Sequence, residues 1–133
     1  MEWGRRLRVL LDTHAFLWWL ADHPNLSHRA RHAIVDEADD VFVSAASVWE
    51  IATKRRIGKL NLVPFQDGIE AEIEAERFHT LTVTAAHAEK AGGLNHVHKD
   101  PFDRMLIAQA LIEGLVLVSN EAVFDGFGVP RLW

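Results

Sequence analysis

The sequence predicts an α/β fold: a parallel β-sheet with helices packed on both faces. Three observations predict it. Short apolar runs recur along the chain, at Arg8–Asp12, Asp40–Ser44, Phe78–Val83 and Leu115–Val118. Helical stretches separate them, so strands and helices alternate, as parallel sheets require. The 133 residues, 49% hydrophobic and 25% charged, also suit one ordinary globular domain. A chain of this length buries roughly 68–70% of its unfolded surface.

Arg8–Asp12 reads as a buried strand with a polar tip, because three aliphatic residues run directly into a carboxylate. Ala15–Ala21 is almost wholly apolar and predicts a buried helix, stopped by His23-Pro24-Asn25. Ser27 suits the N-cap of a second helix running to about Asp36. Asp40–Ser44 is the second strand and Ala45–Arg56 the third helix, which Gly58 ends. Asn61–Pro64 is a connector and Ile69–Glu76 a helix. Phe78–Val83 contains a weaker third strand. Thr84 caps a helix reaching Ala91, ended by Gly92-Gly93, and Leu94–Lys99 is a loop. Asp100-Pro101 is the strongest helix signal, an acid at the N-cap and proline at the first helical position; the helix runs from Pro101 to Glu113. Gly114 closes it before the fourth strand. A short helical turn follows near Glu121–Phe124. Val129–Leu132 is an edge strand, the setting in which Pro130 is tolerated. There is no internal repeat or low-complexity tract. The expectation is a single domain over residues 1–133, with 1–7 an irregular N-terminal extension.

Fourteen Lys and Arg against nineteen Asp and Glu give a formal charge of −5, which argues against a generic basic nucleic-acid binder. Nine of the acids fall within Asp36–Asp40 and Asp67–Glu76 and read as solvated faces. No apolar run approaches the ~20 residues that span a bilayer. Asp12 and His14 interrupt the apolar stretch after the basic start, and a secretory signal would need a cleaner apolar core and a small-residue cleavage site, so none is expected. The expectation is a cytoplasmic protein. The absence of cysteine accords with that.

The chemistry is in where the acids fall. Asp12 ends the first strand. Glu50 lies early in the helix after the second, Asp103 in the first turn of the helix opened by Asp100, and Glu121 just beyond the fourth strand. Ligand sites of open α/β sheets gather at the carboxyl ends of strands, where strand order reverses. Carboxylates gathered there repel one another, and a hard divalent cation, Mg²⁺ or Mn²⁺, removes the conflict. Such a centre suits hydrolysis of a nucleic-acid backbone. Each acid also has a structural reading. Ser47-Val48-Trp49-Glu50 is a capping-box pattern, Asp100 is most simply an N-cap, and Asp103 and Glu121 are first-turn acids favoured by the helix dipole.

Several of these stretches resemble the PIN-domain ribonucleases, and within them the VapC toxins of bacterial toxin–antitoxin pairs. They are Leu10-Leu11-Asp12-Thr13-His14, Val43–Ile51, Asp100-Pro101-Phe102-Asp103-Arg104 through Ala110, and Leu117-Val118-Ser119. The resemblance runs from about Arg8 to Trp133. It implies a three-layer sandwich around a four- to five-stranded parallel sheet, and Asp12, Glu50 and Asp103 as metal-binding acids. At the family's Thr-x-Asp this chain has Ser119-Asn120-Glu121, so Glu121 replaces an aspartate with a longer side chain. The resemblance further implies RNA as substrate, Mg²⁺ or Mn²⁺ as cofactor, a homodimer and a cognate antitoxin. Thr13, Ser119, Arg104 and Lys54 are the expected substrate contacts, Lys54 belonging to the basic run Lys54-Arg55-Arg56. His14 more simply caps or packs. Trp18 and Trp19 cannot both face one core, and Trp49 is expected in the core.

Two competing readings stand beside this one. The fold can serve as a non-catalytic protein-binding module, a reading to which the Glu121 departure lends weight. His96-Val97-His98-Lys99-Asp100 has the His-x-His-x-Asp spacing of a zinc hydrolase, although no later histidine completes that motif.

Overall fold

The computed structural model describes residues 6–60 and 67–133. Residues 1–5 of the expected irregular extension 1–7 and the Asn61–Pro64 connector lie outside the described residues. Five strands form one sheet: β1 (Arg8–Leu11), β2 (Asp40–Ser44), β3 (His79–Leu81), β4 (Val116–Val118) and β5 (Arg131–Leu132). Every pairing is parallel, in the order β3-β2-β1-β4-β5. The α-helices are α1 (Thr13–Leu20), α2 (His28–His32), α3 (Ala45–Arg56), α4 (Ile69–Ala75), α5 (Ala85–Gly93) and α6 (Pro101–Glu113). The second helix expected from Ser27 continues as a π-helical turn over Ala33–Glu37, and a 3₁₀ helix spans Ala122–Phe127.

The core explains why β1 is apolar without alternation. Val9, Leu10 and Leu11 are all fully buried. Successive side chains of a strand point to opposite faces. Val9 and Leu11 pack with Phe16, Leu17, Ala30, Ile34, Ile51 and Ile73 on one face. Leu10 packs with Leu106, Ile107 and Ala110 of α6 and with Phe124 on the other. Both faces are therefore covered, and each fully buried leucine contributes roughly 2 kcal/mol.

This strand order places the reversal at β1. The chain leaves β1 for β2 on one side and returns to β4 on the other. The carboxyl ends of β1 and β4 are tied by a bond from the Asp12 N–H to the Val118 carbonyl, 3.0 Å long. Asp12 and Ser119, each one residue past its strand, thus stand side by side at the crevice where ligands of such sheets bind.

Candidate active site

Local backbone demands fix each side chain at this crevice. Asp12 is the N-cap of α1, and its Oδ1 accepts the Ala15 N–H at 2.8 Å. The Ser119 hydroxyl is also hydrogen-bonded to it. Asp100 caps α6, its Oδ1 accepting from the Phe102 and Asp103 N–H groups. Asp103 therefore has no capping duty, and its Oδ2 meets His98 Nε2 at 2.8 Å.

Glu50 corrects the capping-box expectation. The N-cap of α3 is Ser44, whose Oγ accepts the Ala46 N–H at 3.0 Å. Ser47 is thereby one turn inside the helix, and Glu50 has no orphan N–H to serve. Its Oε1 instead accepts from Thr13 Oγ1 at 2.7 Å, and its Oε2 from Lys54 Nζ at 2.5 Å. Thr13 Oγ1 also lies 2.9 Å from Ser47 Oγ, so one hydroxyl ties the start of α1 to α3.

These groups share one cleft of about 180 Å³, lined by Asp12, Thr13, His14, Glu50, Lys54, Asp100, Asp103 and Glu121. Five of the eight are acids, and Lys54 is their one lysine or arginine neighbour. Asp12 is 4% exposed, and burial above all raises its carboxyl from 3.8 to about 6, with Asp103 adding repulsion. The Ser119 and Ala15 hydrogen bonds and the nearby His14 oppose that rise. Asp103 is also raised, chiefly by burial, with repulsion from Asp100 and Glu50 set against its bond to His98. Glu121 is exposed, and its own N–H donates to Ser119 Oγ at 3.0 Å.

The donor set is all oxygen and carries excess negative charge that burial penalises. That chemistry fits a hard divalent cation. Among the described residues no three such groups already converge on one point. The reason is that Glu50 leans on Thr13 and Lys54, Asp103 on His98, and Asp12 on Ser119 and the α1 N-terminus.

Arg104 stands apart from this cleft. Its guanidinium donates to the carbonyls of Ala91, Leu94, His96 and His98 at 2.6–3.1 Å, four bonds from the five N–H donors of the group. The substrate contact expected of Arg104 thus has to compete with a structural duty, the pinning of the 94–99 loop. The zinc alternative finds no support. His96 packs against Phe127 with ring centroids 4.2 Å apart, His98 is bound to Asp103, and Asp100 caps a helix.

Trp49 also departs from expectation. It is 68% exposed and touches Phe102 edge-on, with ring centroids 5.2 Å apart. Ala46, Ser47, Glu50 and Ile51 form the buried arc of α3, and at 100° per residue Trp49 falls outside it, so the helix that turns Glu50 inward turns Trp49 out. Trp18 and Trp19 also correct an expectation: both are half-buried against the same apolar cluster, Trp19 donating from Nε1 to Glu76 Oε1. His98 was read only as part of the zinc spacing, and its bond to Asp103 was not anticipated. Its place two residues before the N-cap of the helix carrying Asp103 was the available signal.

Comparison with known proteins bears on the whole chain. The PIN domain family model matches residues 9–129. Ribonuclease VapC22 of Mycobacterium tuberculosis is 33% identical over 125 residues, 92% of this chain and 94% of that protein. Among solved structures, VapBC2 from Rickettsia felis bound to a promoter DNA fragment superposes with a TM-score of 0.67, at 15% identity, covering 94% of this chain and 97% of that one. A toxin–antitoxin complex from Klebsiella pneumoniae gives 0.61 at 16% identity, covering 89% and 91%. These two show the same fold. With the match extending from β1 to the turn before β5, and an alignment spanning more than nine-tenths of both sequences, the chain belongs to the PIN domain family.

Proposed function

We propose that this protein is a metal-dependent endoribonuclease, the toxin of a toxin–antitoxin pair. The observation that carries the reading is the cleft at the β1/β4 reversal, where five carboxylates face one lysine. A curated relative that is itself a ribonuclease supports it. Asp12, Glu50 and Asp103 would hold Mg²⁺ or Mn²⁺, with Glu121 reaching in from the 3₁₀ helix. Bound there, such an ion activates water and offsets charge on phosphate oxygens.

The chain's own groups prepare the site. The α1 N-terminus and Ser119 hold Asp12 in one orientation. Thr13 fixes Glu50, and Lys54 balances its charge until a cation or an RNA phosphate competes for that lysine. His98 orients Asp103, and Arg104 is a positioning residue that keeps His98 in place through the loop carbonyls. The partners are RNA, a cognate antitoxin that covers the cleft and a second copy of the chain, in the cytoplasm. No helix among the described residues is long and apolar enough to cross a membrane.

The test is cleavage of total RNA by the purified chain with Mg²⁺, with Mn²⁺ and with chelator, alongside Asp12→Asn and Asp103→Asn. Cleavage that needs the ion and both carboxylates is expected. Equal cleavage by wild type and variants, or none by any of them, would leave the fold as a protein-binding module.

A further inference from the structure

We infer that Trp49, backed by Phe102, is a stacking platform for a nucleobase of single-stranded RNA next to the acid cleft; the inference rests on the ribonuclease reading above. Trp49 is the most exposed tryptophan among the described residues, 68% accessible in a molecule that half-buries Trp18 and Trp19. Burying an indole is among the larger apolar gains available to a chain, so leaving one out needs a reason. Scattered exposed apolar residues are common, but the position of this one is particular. Trp49 precedes Glu50 and Phe102 precedes Asp103, and both acids line the cleft. The two rings meet in an edge-to-face contact at 5.2 Å. In that arrangement the edge of one ring lies against the face of the other, so Phe102 holds the indole at a fixed orientation and a planar partner can still stack on it.

The occupant follows from what surrounds the ring. Continuing from Trp49, α3 ends in Lys54-Arg55-Arg56, cations suited to a sugar-phosphate backbone. An aromatic face, an acid cleft able to take a phosphate through a cation, and a basic helix end together match a single strand, whose unstacked bases are free to stack on protein rings. A duplex offers no such base. Stacking is tolerant of base identity because every base has a π-face. The platform therefore positions the strand, and it does not read sequence.

The experiment measures binding in the cleavage-incapable Asp12→Asn background. The probes are fluorescein-labelled oligo(A), oligo(U) and an abasic ribose-phosphate oligomer of equal length. The Asp12→Asn protein should bind both base-bearing probes more tightly than the abasic one. Adding Trp49→Ala should weaken the base-bearing probes by roughly tenfold, the scale of one lost base–aromatic stack, and leave the abasic probe unchanged. Trp49→Phe should restore most of the loss. An equal loss on all three probes, or no loss on any, overturns the platform. So does a Trp49→Ala variant that dissociates a dimer in sedimentation while keeping its RNA affinity, because the ring then serves a second copy of the chain. If the wild-type chain cleaves RNA and Trp49→Ala cleaves it with unchanged kcat/KM, only the platform fails. If the wild-type chain neither binds nor cleaves RNA, the ribonuclease reading fails and the platform with it.

Discussion

Asp12→Asn should make the metal-free protein more stable at neutral pH while removing its activity. The carboxyl is 4% exposed and is raised from 3.8 to about 6, mainly by burial. A folded-state value above the unfolded one means that the folded chain holds the proton more tightly. The associated stability is fully present below about pH 3.8 and is lost as pH rises through about 6. At about 1.36 kcal/mol per pH unit, that interval amounts to roughly 3 kcal/mol of destabilisation at neutral pH. Asparagine has the same shape and no charge, and its amide oxygen can still accept the Ala15 N–H that caps α1. The variant should therefore exceed wild type by about 2–3 kcal/mol near pH 7.5 in chelator, and the gap should close below about pH 4. Urea unfolding at several pH values reads this directly. Mg²⁺ or Mn²⁺ should restore wild type toward the variant, by about 2.7 kcal/mol at a hundredfold excess over Kd, and should leave Asp12→Asn where it was. A variant less stable than wild type at neutral pH, or a gap that ignores pH, would refute the reasoning.

Three further outcomes follow from the geometry. Arg104→Ala should cost about 2–4 kcal/mol in urea unfolding and speed amide exchange in the 94–98 loop, because it strands four carbonyls bound to one cation. His98→Ala should weaken Mn²⁺ binding by about tenfold in calorimetry without unfolding the chain, since an orienting hydrogen bond to Asp103 is lost. Gly114→Ala should cost about 1 kcal/mol in thermal unfolding, because Gly114 ends α6 in the left-handed region at φ 67°.

The sheet was legible in the sequence because burial on both faces leaves a plain trace. Val9, Leu10 and Leu11 cannot include a polar residue when each faces a helix layer. Proline after Asp100 and glycine at 114 likewise mark the ends of α6 through backbone chemistry that only a few residues satisfy. Side-chain duties were less legible where the sequence offered equivalent caps. Ser44 and Ser47 are both competent caps for α3, and it is Ser44 whose Oγ accepts the Ala46 N–H. The Ser47–Glu50 capping box, the structural reading set beside Glu50's role as a metal ligand, is denied by a helix that starts at Ala45 as expected.

The arrival of Asp103 at the cleft is the harder case. Asp12 and Glu121 follow strands whose carboxyl ends must lie on one edge, and Glu50 follows β2 in the same way. Asp103 begins a helix that runs antiparallel to the strands and ends where β4 starts, so its first turn lies at the same carboxyl edge, but which way that turn faces is left open. Two interactions fix that facing. Arg104 gathers carbonyls from Ala91 to His98 around one guanidinium, which folds the end of α5 and the loop onto the start of α6. His98 then meets Asp103 directly. The first does not follow from spacing, since a cation bound to carbonyls leaves no period or charge pair to read. Arg104 thus pins the loop that carries His98, and the same turn of α6 supplies both the carboxylate and the anchor of its histidine partner.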